Sequence, residues 1–186
     1  MSIPIATAGP AVVLEHCREM LRLYLPAYLT ANESGLAATG ALDLTVSLPV
    51  PRTIYLGVVE LERGNYPAVG LYMESQQLRP MVSACYQVEY RVAATVSLYS
   101  GTVGGPSSPT TIYAAAMAYV AAVVECLSTE AARHGVPLGI YDSVAQSMAA
   151  EQSPHVVQTI NEEQFETRRA IGRVLIRQQL QRQGLL

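Results

Sequence analysis

The sequence predicts an α+β fold: a mostly antiparallel sheet with a long central strand, two helices packed on one face, and extended loops or arms. Three observations carry this expectation. Two segments, opened by Pro10 and by Pro109, show apolar residues at helical spacing, whereas several others alternate apolar and polar residues at the period of a strand. One of the alternating segments, Tyr86 to Leu98, is far longer than the usual strand of about 5 to 6 residues. The order helix, strands, long strand, helix, strands lets both helices cover the same face.

A chain of 186 residues, half of them apolar and 15% charged, can bury a substantial core and is read as one domain over residues 1–186. The formal charge of −3 disfavours a nucleic-acid binder that works by a basic surface, which is what neutralises phosphates. All twelve basic residues are Arg, so a mechanism that needs a Schiff-base or phosphate-gripping Lys is excluded. Cys17, Cys85 and Cys126 are odd in number and far apart, which suits neither a disulfide framework nor a zinc site; buried free thiols in a reducing compartment are expected. The N-terminus has no basic segment followed by an apolar one, and the longest apolar run, Ile112 to Val124, is shorter than the roughly 20 residues of a bilayer span. The chain is expected to be soluble and intracellular, with no membrane contact.

Taken in order, Val13, Cys17, Met20, Tyr24 and Tyr28 recur every three or four residues after Pro10 and predict an amphipathic helix, which Pro26 should end or kink. "NESGLAATGALDLTVSLPVP" reads as loop from its Gly, Ser, Asn and Pro, with an extended arm or short strand over Leu42 to Leu48. Thr53 to Leu61 and Ala68 to Ser75 read as strands, the second followed by a "QQLRP" link. In the long strand, Tyr86, Val88, Tyr90, Val92, Ala94, Val96 and Leu98 share one face. Its length of about 45 Å exceeds the roughly 40 Å expected of the globule. Its near end should therefore lie under the second helix, while the end near Tyr99 or Cys85 extends to touch a neighbour.

Ser108 and Pro109 suit the start of that second helix, and Gly135 with Pro137 its end; the Ala-rich body "IYAAAMAYVAAVVECLS" can lie close on a sheet. Strands are expected around Gly139 to Ala145 and within "SPHVVQTI". The segment 165–182 fits two periods, and strand is preferred over a helix capped by Asn161 because of Gly172 and the β-branched residues. As a strand it places Arg169, Ile171, Arg173, Leu175 and Arg177 on one face against Ala170, Val174 and Ile176 on the other.

Chemical motifs are sparse. "GTVGGPSSPT" lacks the Lys of a phosphate-binding loop and reads as linker plus helix cap. His16, His134 and His155 accompany no serine elbow, and histidines and cysteines never cluster at ligand spacing. No catalytic, cofactor or metal residue is assigned. What remains is a C-terminal concentration of arginine and eleven tyrosines among twelve aromatics, a composition enriched at protein interfaces. Candidate subunit or partner contacts are Tyr66, Tyr72, Tyr90, Tyr99, Arg168, Arg169, Arg173 and Arg177; the arginines either form a solvated strand face, meet acidic groups of a neighbouring subunit, or line a path for DNA.

The N-terminal helix, the "TIYLGVVELERGNYPAVGLYMES" run, the "YQVEYRVAATVSLYS" strand, the "YAAAMAYVAAVVECL" helix and the "RRAIGRVLIR" strand together resemble the tail terminator proteins of long-tailed bacteriophages, over roughly Val12 to Leu180. The resemblance implies a non-enzymatic ring, usually a hexamer, with no cofactor. It caps the tail tube protein and joins it to a head connector or stopper protein, leaving a channel for DNA without sequence-specific binding. The location implied is the virion neck, assembled in the host cytoplasm. Relative to the smaller members, the segments 35–51 and 141–163 are longer and are expected as arms toward neighbouring subunits. The alternatives are another phage neck or baseplate component, or a small-molecule-binding protein or enzyme with a pocket beneath the second helix.

Overall fold

The computed structural model describes residues 9–38, 47–57, 66–80, 85–99, 109–134, 140–152, 156–160 and 163–181, with side chains described for 9–35, 37–38, 47–57, 66–79, 87–98, 114–130 and 171–177. Two helices, α1 (Pro10–Ala38) and α2 (Pro109–His134), pack on each other and on one face of a six-stranded sheet. The strands are β1 (Thr53–Leu56), β2 (Ala68–Pro80), β3 (Cys85–Tyr99), β4 (Ile140–Gln152), β5 (Val156–Ile160) and β6 (Glu163–Gln181). Their order is β1-β2-β3-β6-β4, with β5 also on β6. Because β3 occupies one edge of β6 from Thr167 onward, β4 and β5 follow one another along the other. The class is α+β. The sheet is mixed, since β1 and β2 are parallel while the other pairs are antiparallel.

The long alternating stretch is central, but it does not project. β3 pairs with β6 at every residue and with β2 from Tyr86 to Ser97, so its backbone is enclosed by its own chain at both ends. The inference from length fails because the neighbouring strands are long as well; β6, at 19 residues, exceeds the 15 of β3. Strand is the right period for the C-terminal segment. Val174 and Ile176 enter the core, and Arg173 and Arg177 take the opposite face.

Other boundaries move for local reasons. α1 runs through Pro26 and over the first seven residues, Asn32 to Ala38, of the stretch that reads as loop. Pro26 deprives only the Arg22 carbonyl of its donor, and Arg22 is exposed, so water can take that place. Beyond it, Thr30 Oγ1, Asn32 Nδ2 and Ser34 Oγ donate to the carbonyls of Pro26, Tyr28 and Thr30, each four residues back, at 3.0, 3.0 and 2.9 Å. Polar side chains satisfied this way cease to compete with the helix. The extended stretch expected at Leu42 to Leu48 lies outside the described residues up to Val46. Leu48 itself is buried, its N–H donating to Glu33 Oε2 at 3.1 Å, and Pro49 O accepts from Tyr119 Oη at 3.1 Å. The "QQLRP" link is part of β2, and β4 reaches well beyond Ala145.

The core is a seam of α1 residues (Val13, Cys17, Met20, Leu21, Leu25, Leu29) and α2 residues against Val69, Leu71, Val88, Tyr90 and their neighbours. Across the helix pair, Tyr28 Oη donates to the buried Glu130 Oε1 at 2.7 Å. α2 sits close enough at its middle that a Cβ on Gly172 would lie 2.4 Å from Val124 Cγ2. Gly172→Ala is therefore expected to destabilise by about 1–3 kcal/mol through overpacking. Thermal unfolding checks this, and Val124→Ala in the same chain should recover part of the loss.

Cys17 and Cys126 are free thiols buried in the helix seam, both pushed up from 9.0 to about 12 by burial. Between those values the folded chain keeps protons that the unfolded chain releases. Stability should therefore be unaffected by these groups below about pH 9 and fall as pH rises toward about 12. Denaturant titrations between roughly pH 8 and 10 should show a shallower decline for Cys17→Ala/Cys126→Ala than for the parent chain, whatever the baseline cost of the smaller side chains.

Candidate functional site

The helices cover the face to which Val92, Ala94 and Val96 point, leaving the other face of the sheet without a helix among the described residues. Strand alternation sets its composition. β3 contributes the short Ala93, Thr95 and Ser97, all buried, while β2 and β6 contribute longer groups on either side. Tyr72 and Arg173 flank Ala93 in one row, so the central strand is shielded by the reach of its neighbours.

Two ion-pair groups cross this face. The bulge in β2 between Met73 and Ser75 frees Glu74, whose Oε1 accepts from Arg173 Nε at 2.8 Å across the intervening β3. Glu89 of β3 is gripped from both sides, its Oε1 accepting from Arg177 Nε at 3.2 Å and its Oε2 lying 3.0 Å from Arg79 Nε. The chain thus ties β2, β3 and β6 together by charge as well as by backbone.

These pairs correct the expectation for the C-terminal arginines. Arg173 and Arg177 find acidic partners within their own chain, so they neither stand free for a neighbour's carboxylates nor form an unpaired basic track. Arg168 and Arg169 hold register positions opposite Leu98 and Ser97, and their side chains lie outside the described residues, as does that of Tyr99 opposite Thr167. Tyr90 leaves the surface set altogether, being fully buried in the core, where burial raises its hydroxyl pKa. Tyr72 and Tyr66 are half-buried; Tyr66 precedes a cis peptide bond to Pro67. The structure therefore brings Tyr72, Arg173, Glu74, Glu89, Arg177 and Arg79 onto one face. Glu74, Glu89 and Arg79 went unnoticed in the sequence because only register reveals which acid meets which base.

Among the described residues no three His, Cys, Asp or Glu side chains gather to hold a metal. His16 lies on α1 with its Nε2 buried and unbonded, and no nucleophile is paired with it. Among the described residues no helix is long and apolar enough to cross a membrane.

Glu89→Ala should cost about 1–3 kcal/mol because it leaves the partly buried Arg177 without its acceptor, whereas Arg79→Ala, at an exposed position, should cost under about 1 kcal/mol. Urea unfolding of the two variants compares them directly.

Set beside known proteins, the chain matches no protein-family model and no curated sequence.

Proposed function

We propose that the chain is a structural, non-enzymatic virion protein of the phage neck, whose copies close into a ring, a hexamer, at the end of the tail tube. In this role it caps the tube protein, meets the head connector or stopper, and leaves a channel through which DNA passes without sequence-specific binding.

One observation supports the reading most directly. Past the last β3–β6 row, Tyr99 with Thr167, the sheet continues as a two-stranded ribbon in which β5 pairs with Glu163–Thr167 of β6. Glu163 to Glu166 lie beyond β3, a reach of about 13 Å. A two-stranded ribbon is marginal in water when nothing packs on it, so a reach of this kind suits a subunit that neighbours complete. The first strand of the ribbon, Val156–Ile160, falls within the 141–163 segment expected as an arm, and the second begins where that segment ends. The 35–51 segment is helical at its start and pinned at Leu48 and Pro49 to its own core. The internally paired arginines and the net charge of −3 agree with a lumen that lets DNA slide past.

Native mass spectrometry and negative-stain imaging of the purified chain, alone and with tail tube protein, test the proposal. A single closed species with a central hole is expected. Monomers only, even with tube protein present, would overturn it.

A further inference from the structure

Among the described residues the sheet has two edges that no further strand flanks, and they lie level. β1 covers β2 only from Ala68 to Leu71, so from Tyr72 on no described strand flanks the outer edge of β2. On the far side of the sheet β4 pairs with β6 alone. Following the residue pairs across all four strands shows which parts of these edges correspond. The row through Arg79 runs by way of Gln87 and Gln179 to Ile140, and the row through Ser75 runs by way of Arg91 and Leu175 to Val144. The five regular residues at the start of β4, before its first irregularity, thus occupy the same five rows as Ser75 to Arg79, the first five β2 residues after the bulge.

Directions match as well as positions. β2 is antiparallel to β3, β3 to β6, and β6 to β4, so β4 runs opposite to β2. Rotation about a ring axis preserves each strand's direction along that axis. A neighbouring copy related by such a rotation would therefore bring its β4 against β2 in antiparallel sense. A closed ring also permits no rise from copy to copy, and the level edges need none.

We infer that copies of this chain join edge to edge, the Ile140–Val144 stretch of one pairing with the Ser75–Arg79 stretch of the next, so that one sheet continues from subunit to subunit. This rests on the ring reading and specifies its contact. Backbone N–H and C=O groups supply the attraction, as in strand addition generally, and open edges that would otherwise invite indiscriminate pairing become occupied. The level register sets Gln77 opposite Asp142 and Gln76 opposite Ser143. Each pair shares a face: Gln77 and Asp142 sit in the row of Glu89 and Arg177, and Gln76 and Ser143 in that of Tyr90 and Ile176.

Cysteine cross-linking tests the register. In a Cys85→Ser background, Gln77→Cys/Asp142→Cys and Gln76→Cys/Ser143→Cys each place thiols directly opposite across the contact. Adjacent antiparallel pairs alternate between wide and narrow spacing, so at least one of the two falls within disulfide reach. Gln77→Cys/Ser143→Cys puts the thiols on opposite faces. Under mild oxidation, one level pair should give a ladder of linked chains ending at the ring size, about tenfold or more above the opposite-face pair. Rings in native mass spectra without a ladder from either level pair would overturn the edge contact and leave the ring standing. Equal linking by the opposite-face pair would overturn the register, and monomers throughout would overturn both contact and ring.

Discussion

The pairing of β3 with β6 is the constraint on which the rest depends. It runs unbroken from Cys85 with Gln181 to Tyr99 with Thr167, joining residues far apart in sequence. A slip of one residue would turn every β6 side chain to the other face. Arg173 and Arg177 would then lie beneath α2, and Val174 and Ile176 would face outward. Two separate features hold the observed register. Beneath the helix, Gly172 accepts Val124 at a distance no side chain could tolerate, and on the opposite face Glu74 and Glu89 accept from Arg173 and Arg177. Steric fit on one side and charge on the other select the same alignment.

Much of this architecture is legible in the residues. The alternation of Tyr86 to Leu98 marks a strand whose even-numbered side chains from Val88 on enter the core, and the Ala-rich run from Ala114 marks a helix able to lie close on a sheet. For the C-terminal segment, Gly172 and the β-branched residues favour a strand over the competing helical period, and the structure supplies the reason for the glycine, which is the closeness of α2. Legibility fails where tertiary partners decide. "NES" after Pro26 carries the composition of a loop, but helical carbonyls one turn back accept from Asn32 and Ser34, and Glu33 accepts from Leu48 N–H. "QQLRP" lacks alternation because Gln76 to Arg79 are exposed on both faces of β2. The β5–β6 ribbon had a local signal, two runs of strand formers separated by the two residues Asn161 and Glu162, which the alternative of a helix cap obscured.

The candidate interface residues show the same division. Tyrosine abundance is equally compatible with core and surface; Tyr90 and Tyr119 are core, Tyr119 donating to Pro49 O from within it. Arginine abundance says nothing of where the carboxylates are. Because β2 is bulged at Glu74, Arg79, which strict alternation would send to the core face with Leu71 and Met73, reaches Glu89. A bulge of this kind cannot be placed before the register is known.

These features also bear on how such a subunit could assemble. Among the described residues the helix-free face is satisfied internally, since both carboxylate oxygens of Glu89 are engaged and the short residues of β3 are shielded by their flanks. A partner laid on that face would have to break existing pairs before forming its own. The edges are different, because among the described residues the hydrogen-bonding groups along a flanking strand have only one neighbour and can gain a second. The long β3–β6 ladder that completes the interior also separates these two edges by the width of the sheet and keeps them on common rows. A sheet with complementary, level edges can abolish both by repetition around an axis, as a barrel does within a single chain. On the proposed ring reading, the strand directions would let one copy follow the next about an axis without a specialised apolar patch.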